Sequence, residues 1–461
     1  MNITPFRAIN LLFTSLLFVS SSQITAADEG YTWKVGLASA KITPNEPVRM
    51  AGYGSKQREQ LSQGVASDLY AKAMAIEDQD GNKALLITTD VIGLTAHVSQ
   101  PLYPRISEKT GLKRKQILIN SSHTHTGPVI GIDADKLDYL KDAEHIKGTI
   151  RYTRWLSDQL VALSVEATKN LEPAKLSWGV GVATFVMNRR EFTERGVRLG
   201  VNPRGLADRS VPILRIDSDD GELRGVLIGT ACHNTTLTGR DMKISGDYAG
   251  YAQQHIERNV DGVQAMFMQG CGGDANPYPR ESEEIARIHG MTLGKEVLRV
   301  LETKLAPVHG RLTTLLSSVD LPLQQKFSKE DFEKLERASG ATREVARKLR
   351  EKLQLNGEMP PSFESRLAVW QFGEDLTLVA LPGEVVVDYV RLIEDAIGPR
   401  KLWVSAYNHD VFGYLPSARV LREGGYEIRG IYAGGIGIFS PKAESVVVDE
   451  IRSLVERARQ P

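Results

Sequence analysis

The sequence of 461 residues has very little cysteine and no net charge. Two cysteines, Cys232 and Cys271, are too few for a disulfide framework. A single bridge between them and two buried thiols are both open. Lysine plus arginine and aspartate plus glutamate number 57 each, and this balance excludes a basic nucleic-acid-binding protein and an acidic disordered tail. With 41% apolar residues, the chain has the composition of an ordinary globular protein.

A long apolar run occurs only at the start of the chain. Arg7 precedes the run from Ala8 to Val19, and the small residues Thr25-Ala26-Ala27 follow, which is the order of a cleaved secretory signal. The run is shorter than the ~20 apolar residues that a membrane span needs, so an uncleaved anchor is the less favoured alternative. We therefore predict a signal peptide over residues 1–27 and a periplasmic or secreted mature protein.

Several common catalytic motifs are missing. No HExxH segment is present, which argues against a zincin, and the His123/His125 pair lacks the Asp-His continuation of a metallo-β-lactamase-like site. The sequence also contains no GxSxG elbow and no P-loop, and its glycine clusters do not form GxGxxG. None of these enzyme classes is therefore predicted.

Short apolar runs alternate with helical patterns along the chain, which predicts an α/β fold. Helices are expected over residues 248–257 and 282–301. A charged segment at about 327–357 predicts a helical insertion, and we favour a solvated helical hairpin over a lid. Six predicted strands end in polar or glycine-rich corners: 84–87, 117–120, 225–228, 265–268, 376–381 and 402–404.

Histidine and glutamate side chains occupy several of these corners. His123 and His125 stand at i and i+2, and an extended chain would place both imidazoles on one side. His233 and Glu384 lie in equivalent corners, and ligands of open α/β sheets bind outside the carboxyl ends of strands. Two or three histidines with a carboxylate are the ligand types of catalytic zinc. The pair alone is equally compatible with two structural histidines.

Seven segments follow one another in a recognisable order: Met50–Tyr53, Asn120–Pro128, Asn188–Arg190, Gly246–Tyr248, Gly273–Pro277, Leu381–Glu384 and Tyr414–Glu427. Together they resemble the catalytic domain of the neutral/alkaline non-lysosomal ceramidases, from about Lys34 to Gly430. The resemblance implies a mixed β-sheet core with flanking helices in a single catalytic domain over residues 28–461, without the family's immunoglobulin-like C-terminal domain.

The resemblance also implies a zinc site, with one Zn²⁺ per chain. The implied zinc ligands are His123, His233, Glu384 and Tyr414. The zinc ion would activate a water, Tyr426 would donate to the amide carbonyl, and His125 would protonate the leaving amine. Arg189 is the implied positioning arginine, with its neighbour Arg190 as the open alternative, and Tyr414 could instead be a core tyrosine.

Two positions depart from the family pattern and bear on the substrate. Asn276 takes the place of a family serine, and Asn408-His409-Asp410 stands where the family usually has a second tyrosine. The implied function is a zinc-dependent amidohydrolase that cleaves N-acyl amides of ceramide-like lipids, with peripheral membrane contact and no nucleic-acid partner. The alternatives are a zinc amidase or esterase for a small acyl compound and a non-catalytic lipid- or sugar-binding protein.

Overall fold

The apolar runs predicted as strands all lie within strands of one large sheet in the computed structural model. The structure describes residues 33–338, 340–398, 401–433 and 435–460. The predicted signal peptide, residues 1–27, lies outside the described residues. Within the described ranges, no helix combines the length and the apolar character that crossing a membrane requires.

The strands alternate with helices along the chain, as the α/β prediction requires. The strands are β1 (Trp33–Lys41), β2 (Tyr70–Glu77), β3 (Lys83–Thr89), β4 (Ile117–Ser121), β5 (Glu172–Val182), β6 (Val186–Thr193), β7 (Gly196–Asn202), β8 (Ser210–Ser218), β9 (Leu223–Thr230), β10 (Gln264–Gln269), β11 (Ala275–Pro277), β12 (Ala306–Val308), β13 (Leu312–Pro322), β14 (Ser362–Phe372), β15 (Leu376–Pro382), β16 (Glu384–Val385), β17 (Leu402–Asn408) and β18 (Tyr414–Leu415). The helices are α1 (Ala96–Ser99), α2 (Leu102–Thr110), α3 (Ala143–Lys169), α4 (Asp247–Asn259), α5 (Glu283–Leu301), α6 (Lys329–Ala338), α7 (Gly340–Asn356), α8 (Asp388–Ile397), α9 (Ala418–Glu423) and α10 (Lys442–Ala458).

The main sheet is mixed, which confirms the predicted fold class. Its strand order is β10-β9-β8-β5-β1-β2-β3-β4-β17-β15-β14-β13, and β12 adds to β5. The pairs β3–β4, β9–β10 and β15–β17 are parallel, whereas the other neighbours are antiparallel. Two smaller sheets, β11-β6-β7 and β16-β18, lie outside this order.

Helices cover one face of the main sheet, and its other face is buried by the sheet itself. Alternate residues of β2 illustrate this arrangement, because Ala73 packs in the core that includes α3 residues whereas Met74 points the opposite way. Met74 there meets Leu227 of β9 and Trp403 of β17 around a small apolar cavity. The two halves of the curled sheet therefore face each other.

Asn120 holds the ends of three strands, β4, β10 and β17, at one place. This fully buried residue of β4 pairs with Asn408 of β17, and its Nδ2 donates to the Ala406 carbonyl. Its Oδ1 accepts from the backbone N–H of Gln269, the last residue of β10. Because side-chain bonds between buried groups hold them rigidly, the corners that follow β4, β10 and β17 lie side by side.

The charged segment at 327–357 contains α6 and α7. Phe332 and Leu335 of α6 and Leu349 of α7 are buried in a core cluster that also contains residues of β13 and α10. Exposed ion pairs, such as Arg347 with Glu344, lie on the solvent side of the two helices. Their apolar stripes therefore extend the core of the molecule.

Candidate functional site

The first corner of the site holds His123 and His125, directly after β4. Their Nε2 atoms lie 3.0 Å apart. The expectation that an extended strand aligns them was wrong, because β4 ends at Ser121 and His123 has a left-handed φ of 64°. The imidazoles converge because the chain turns at His123 and Thr124 then pairs with Asn234 next to the second corner.

His233 and Glu384 complete the centre of the cluster. The Oε2 atom of Glu384 lies 3.1 Å from His233 Nε2 and 3.3 Å from His123 Nε2. The ring nitrogens that His123, His125 and His233 can offer to a metal lie within 4.8 Å of one another. Gly383, with φ of 70°, provides the turn that brings Glu384 off the end of β15, since this conformation suits glycine.

The hydrogen bonds of the His123 and His233 rings determine which ring nitrogen carries a proton and which one faces the Glu384 carboxylate. His123 Nδ1 lies 2.5 Å from the Ile92 carbonyl oxygen, and His233 Nδ1 lies 2.6 Å from that of Gly272. A carbonyl only accepts, so each Nδ1 carries a proton, and the Nε2 of a neutral ring presents a lone pair. Burial also lowers the pKa of His233 to about 3, which keeps this imidazole neutral.

Two lone pairs and a carboxylate oxygen repel one another at these distances unless a metal ion or a shared proton lies between them. Neutral imidazoles anchored by carbonyls and a buried carboxylate are the donor set of a zinc-type centre. Separations of about 3.3 Å are also those that a tetrahedral ion with bonds of ~2.0 Å imposes on its ligands. The buried histidine cluster can therefore hold a metal ion.

Tyr414 lies against the same centre. It pairs with Glu384 in the short parallel β16–β18 sheet, and its Oη lies 3.5 Å from His233 Nε2. The Arg189 guanidinium donates to this oxygen over 2.7 Å. The structure therefore brings the four predicted metal ligands, His123, His233, Glu384 and Tyr414, around one point.

Arg189 connects Tyr414 to two other side chains. Its Nε donates to Glu427 Oε1 over 2.9 Å, and its Nη1 donates to Asn276 Oδ1 over 3.2 Å. Arg190, the alternative from the sequence, donates instead to Glu427 Oε2, Glu423 and the Gly424 carbonyl. The arginine that contacts the site is therefore Arg189.

The remaining predicted residues, Tyr426 and Asn276, border the same cluster. The Tyr426 ring meets the Tyr414 ring edge-on at 5.7 Å, and the Arg429 guanidinium lies 3.9 Å from the Tyr426 ring centre. Asn276 Oδ1 also accepts from the Thr235 hydroxyl. Tyr426 therefore packs against the proposed ligand Tyr414, and Asn276 is joined to the same ligand through Arg189.

His125 differs from the other two histidines. Its Nδ1 is buried and has no hydrogen-bond partner among the described residues. The ring meets Tyr53 edge-on at 5.0 Å and lies against Gly52, where an added Cβ would lie 2.5 Å from the imidazole. The Met50–Tyr53 segment therefore places the His125 ring, and Gly52 has no room for a side chain.

Three residues of the site were not predicted from the sequence. The Tyr432 hydroxyl donates to Glu384 Oε1, the carboxylate oxygen that faces away from the histidines. The Tyr407 ring lies 4.6 Å from the His123 ring. Glu427 lies between Arg189 and Arg190, and two adjacent arginines that are both buried need such a counter-charge. No local motif marks the two tyrosines.

The two cysteines lie in corners next to the site. Cys232 and Cys271 are buried and unbonded. Burial raises the pKa of both thiols well above the ordinary value. Both side chains are therefore protonated, and neither has the thiolate character of a metal ligand.

Comparison with known proteins relates the chain to one family. Residues 33–283 match the sequence model described as neutral/alkaline non-lysosomal ceramidase, N-terminal. The neutral ceramidase of Pseudomonas aeruginosa is 26% identical over 284 residues, covering 59% of this chain and 40% of that protein. The neutral ceramidase of Mycobacterium tuberculosis is 27% identical over 261 residues, covering 53% and 40%. The chain thus spans about 40% of the length of these curated relatives.

Solved structures agree with this relationship at the level of the fold. The crystal structure of the Pseudomonas aeruginosa neutral ceramidase superposes with a TM-score of 0.70 at 20% sequence identity, covering 94% of this chain and 76% of that chain. A ceramidase complexed with C2 gives a TM-score of 0.71 at 19% identity, covering 93% and 76%. The mixed sheet and its flanking helices are therefore shared with these proteins.

Proposed function

Because the chain belongs to the neutral/alkaline non-lysosomal ceramidase family, which it matches over residues 33–283, we propose that it is a zinc-dependent amidohydrolase of ceramide-like lipids. The observation that carries this proposal is the approach of Glu384 Oε2 to the Nε2 atoms of two histidines whose Nδ1 atoms are both bonded to backbone carbonyls. The substrate class comes from the relatives, which are named neutral ceramidases. We also propose that the predicted signal peptide directs the protein to the periplasm or out of the cell.

In this proposal His123, His233, Glu384 and Tyr414 hold the zinc ion. Zinc bound by such ligands supplies a Lewis acid and lowers the pKa of water towards ~7. The carbonyls of Ile92 and Gly272 orient the two histidines, and the Tyr432 hydroxyl orients the carboxylate. Ligands fixed in this way need little rearrangement before the reaction.

The chain's other residues would bind the amide and move the proton. Ligating histidines almost always donate their second ring nitrogen to an acceptor, and His125 Nδ1 has none among the described residues. His125 is therefore the histidine that is free to carry a proton to the leaving amine. Tyr426 would donate to the substrate carbonyl, whereas Arg189 holds Tyr414 and Asn276 in place.

Replacing His125 by alanine is expected to leave the zinc content at one ion per chain and to lower kcat by about 10²–10⁴-fold. The reason is that His125 would supply a proton without holding the metal. Elemental analysis and single-turnover hydrolysis on the same preparation check both parts. Loss of zinc from this variant would instead make His125 a ligand.

Exposed apolar side chains next to the site favour a lipid substrate. The hairpin of β6 and β7 exposes 59% of Phe192 and 44% of Leu199, and β6 also carries Arg189. Tyr278, which is 49% exposed, follows the strand that carries Asn276. Apolar side chains beside a binding site are typical of surfaces that contact lipids or proteins. We propose that this hairpin touches the membrane while the site extracts its substrate.

The double variant Phe192→Ser/Leu199→Ser is expected to hydrolyse ceramide in phospholipid vesicles about tenfold more slowly, because less apolar area can be buried in the lipid. Its turnover of a short-chain, water-soluble N-acyl amine should stay within about twofold of wild type. Leu355→Ser, on the exposed side of α7, is the matched control and should change neither rate. An equal loss on both substrates would contradict a membrane role.

One experiment tests the proposed function as a whole. It measures zinc by elemental analysis and, in the same preparation, fatty-acid release from ceramides, short N-acyl amines and simple esters. One zinc with ceramide turnover is the expected result. Turnover of small amides or esters alone would favour the second candidate, a small-substrate amidase or esterase, which is supported by Asn276 in place of the family serine. Protein that binds no metal would overturn both.

A further inference from the structure

The Asn408-His409-Asp410 corner plays no part in the proposed reaction, yet it borders a second cavity. The cavity has a volume of about 350 Å³. His409 and Asp410 line it from the end of β17, and Ser365 and Arg366 line it from β14. None of the four proposed metal ligands lines this cavity, so the cavity requires a separate explanation.

The hydrogen bonds of His409 determine which of its ring nitrogens is protonated. Its Nδ1 lies 3.2 Å from Arg114 Nη2 and 3.4 Å from the Tyr103 hydroxyl. A guanidinium only donates, so Nδ1 accepts and the proton is on Nε2. Burial, together with the charges of Arg114 and Arg366, lowers the pKa of His409, which keeps the ring neutral. Nε2–H is therefore a fixed donor.

This donor is left without an acceptor. The His409 side chain is only 3% exposed, and its Nε2 has no hydrogen-bond partner among the described residues. The same holds for Oγ of Ser365, which is 4% exposed. His409 also has a left-handed φ of 62°. Unpaired buried polar atoms and strained backbone are rare in native proteins and concentrate where ligands bind.

One guanidinium, that of Arg366, lines the cavity together with the carboxylates of Glu364 and Asp410, and a second, that of Arg114, lies behind the His409 ring. Arg114 donates to the Ile117 carbonyl and to His409, and no described carboxylate lies within ion-pair distance of it. Arg366 reaches only the exposed carboxylate of Glu364, at 3.3 Å. Burial raises the pKa of Asp410 to about 6, so this carboxylate is still largely ionised at neutral pH, and its Oδ1 accepts from the Ala96 N–H.

We propose that this cavity binds a small oxyanion, a carboxylate or a phosphate, through His409 Nε2–H, the Ser365 hydroxyl and the Arg366 guanidinium. Charge-assisted hydrogen bonds from such donors are the usual means of binding these groups. Arg114 acts from behind the ring by holding its tautomer. The site is independent of the metal centre, so the proposal does not depend on the reaction proposed above.

The test uses histidine-labelled protein in NMR titrations with sodium acetate and, separately, inorganic phosphate, at constant ionic strength and pH. The His409 Nε2 signal is identified with His409→Asn, since asparagine tolerates a positive φ. We expect one or both anions to shift this signal saturably, and the two titrations distinguish a carboxylate ligand from a phosphate ligand. Ser365→Ala and Arg366→Gln should each weaken binding about tenfold or more.

Arg105→Gln, which removes an exposed arginine of α2, is the matched control and should bind as wild type. Two results would overturn the proposal. One is that neither anion moves the His409 signal in wild-type protein. The other is that Ser365→Ala and Arg366→Gln bind with wild-type affinity, because the anion would then occupy another site, such as the metal centre.

Discussion

Replacing His233 by alanine is expected to remove the metal ion and the hydrolytic activity together, with kcat/KM falling by about 10⁴-fold or more. His233 is fully buried, and its Nε2 lone pair lies 3.1 Å from Glu384 Oε2. Without this imidazole the proposed set of ligands loses one of its two anchored nitrogens. The remaining ligands, His123, Glu384 and Tyr414, would hold a divalent ion far more weakly, so that dialysis would remove it.

Elemental analysis and amide hydrolysis after dialysis check this expectation, and thermal unfolding reports whether the variant still folds. His289→Ala is the matched control, because His289 is also buried and bonded to a carbonyl, that of Pro279, but lies away from the centre. The control should keep its zinc and its activity. If His233→Ala kept stoichiometric zinc and wild-type hydrolysis, His233 would not be a metal ligand, and the proposed zinc site would be contradicted.

The sequence predicted the corners of the site better than their geometry. Apolar runs predicted β4, β9 and β15, and the polar residues after them, His123, His233 and Glu384, do meet. The reason expected for the convergence of His123 and His125 was wrong. A left-handed φ at His123 cannot be predicted from periodicity, because the turn is held by backbone hydrogen bonds from Ser122 to Thr89, at the end of β3, and from His123 to Val91, just beyond it.

The side chains that contact Glu384 could not be predicted from the sequence for a similar reason. Glu384 contacts His123 and His233 through one oxygen and Tyr432 through the other. Tyr432 is 48 residues further along the chain, in a segment that has no strand pattern. Its position follows from backbone bonds to Phe412, which itself packs in the C-terminal core. Contacts of this kind arise from tertiary packing, whereas local sequence patterns predict only helices and strands.

Glu427 carries the second large expected effect. Its two carboxylate oxygens accept from Arg189 Nε over 2.9 Å and from Arg190 Nη1 over 2.6 Å, and all three side chains are at least 95% buried. Removing one partner of a buried ion pair destabilises a protein far more than replacing the whole pair by apolar side chains, because one buried charge is left without a counter-charge. Glu427→Ala is therefore expected to lower the free energy of unfolding by about 3–5 kcal/mol.

The same variant is also expected to lose hydrolytic activity. Arg189 would keep its hydrogen bonds to Tyr414 and Asn276, but among the described residues no carboxylate would lie within ion-pair distance of it. Arg190 would keep its ion pair with Glu423. A guanidinium released from Glu427 would no longer hold the Tyr414 hydroxyl beside His233, and misplacement of a catalytic group by about 1 Å can cost ~10²-fold in rate.

Urea unfolding and steady-state hydrolysis measure the two effects of Glu427→Ala separately. Glu191→Ala is the control: it breaks the exposed pair with Arg198 on the same hairpin, and exposed pairs contribute little to stability. We expect the control to match wild type in both measurements. If Glu427→Ala kept full activity despite its lower stability, the carboxylate would serve the fold alone, and Arg189 would hold Tyr414 without its help. If it also kept full stability, the two guanidiniums must find other counter-charges.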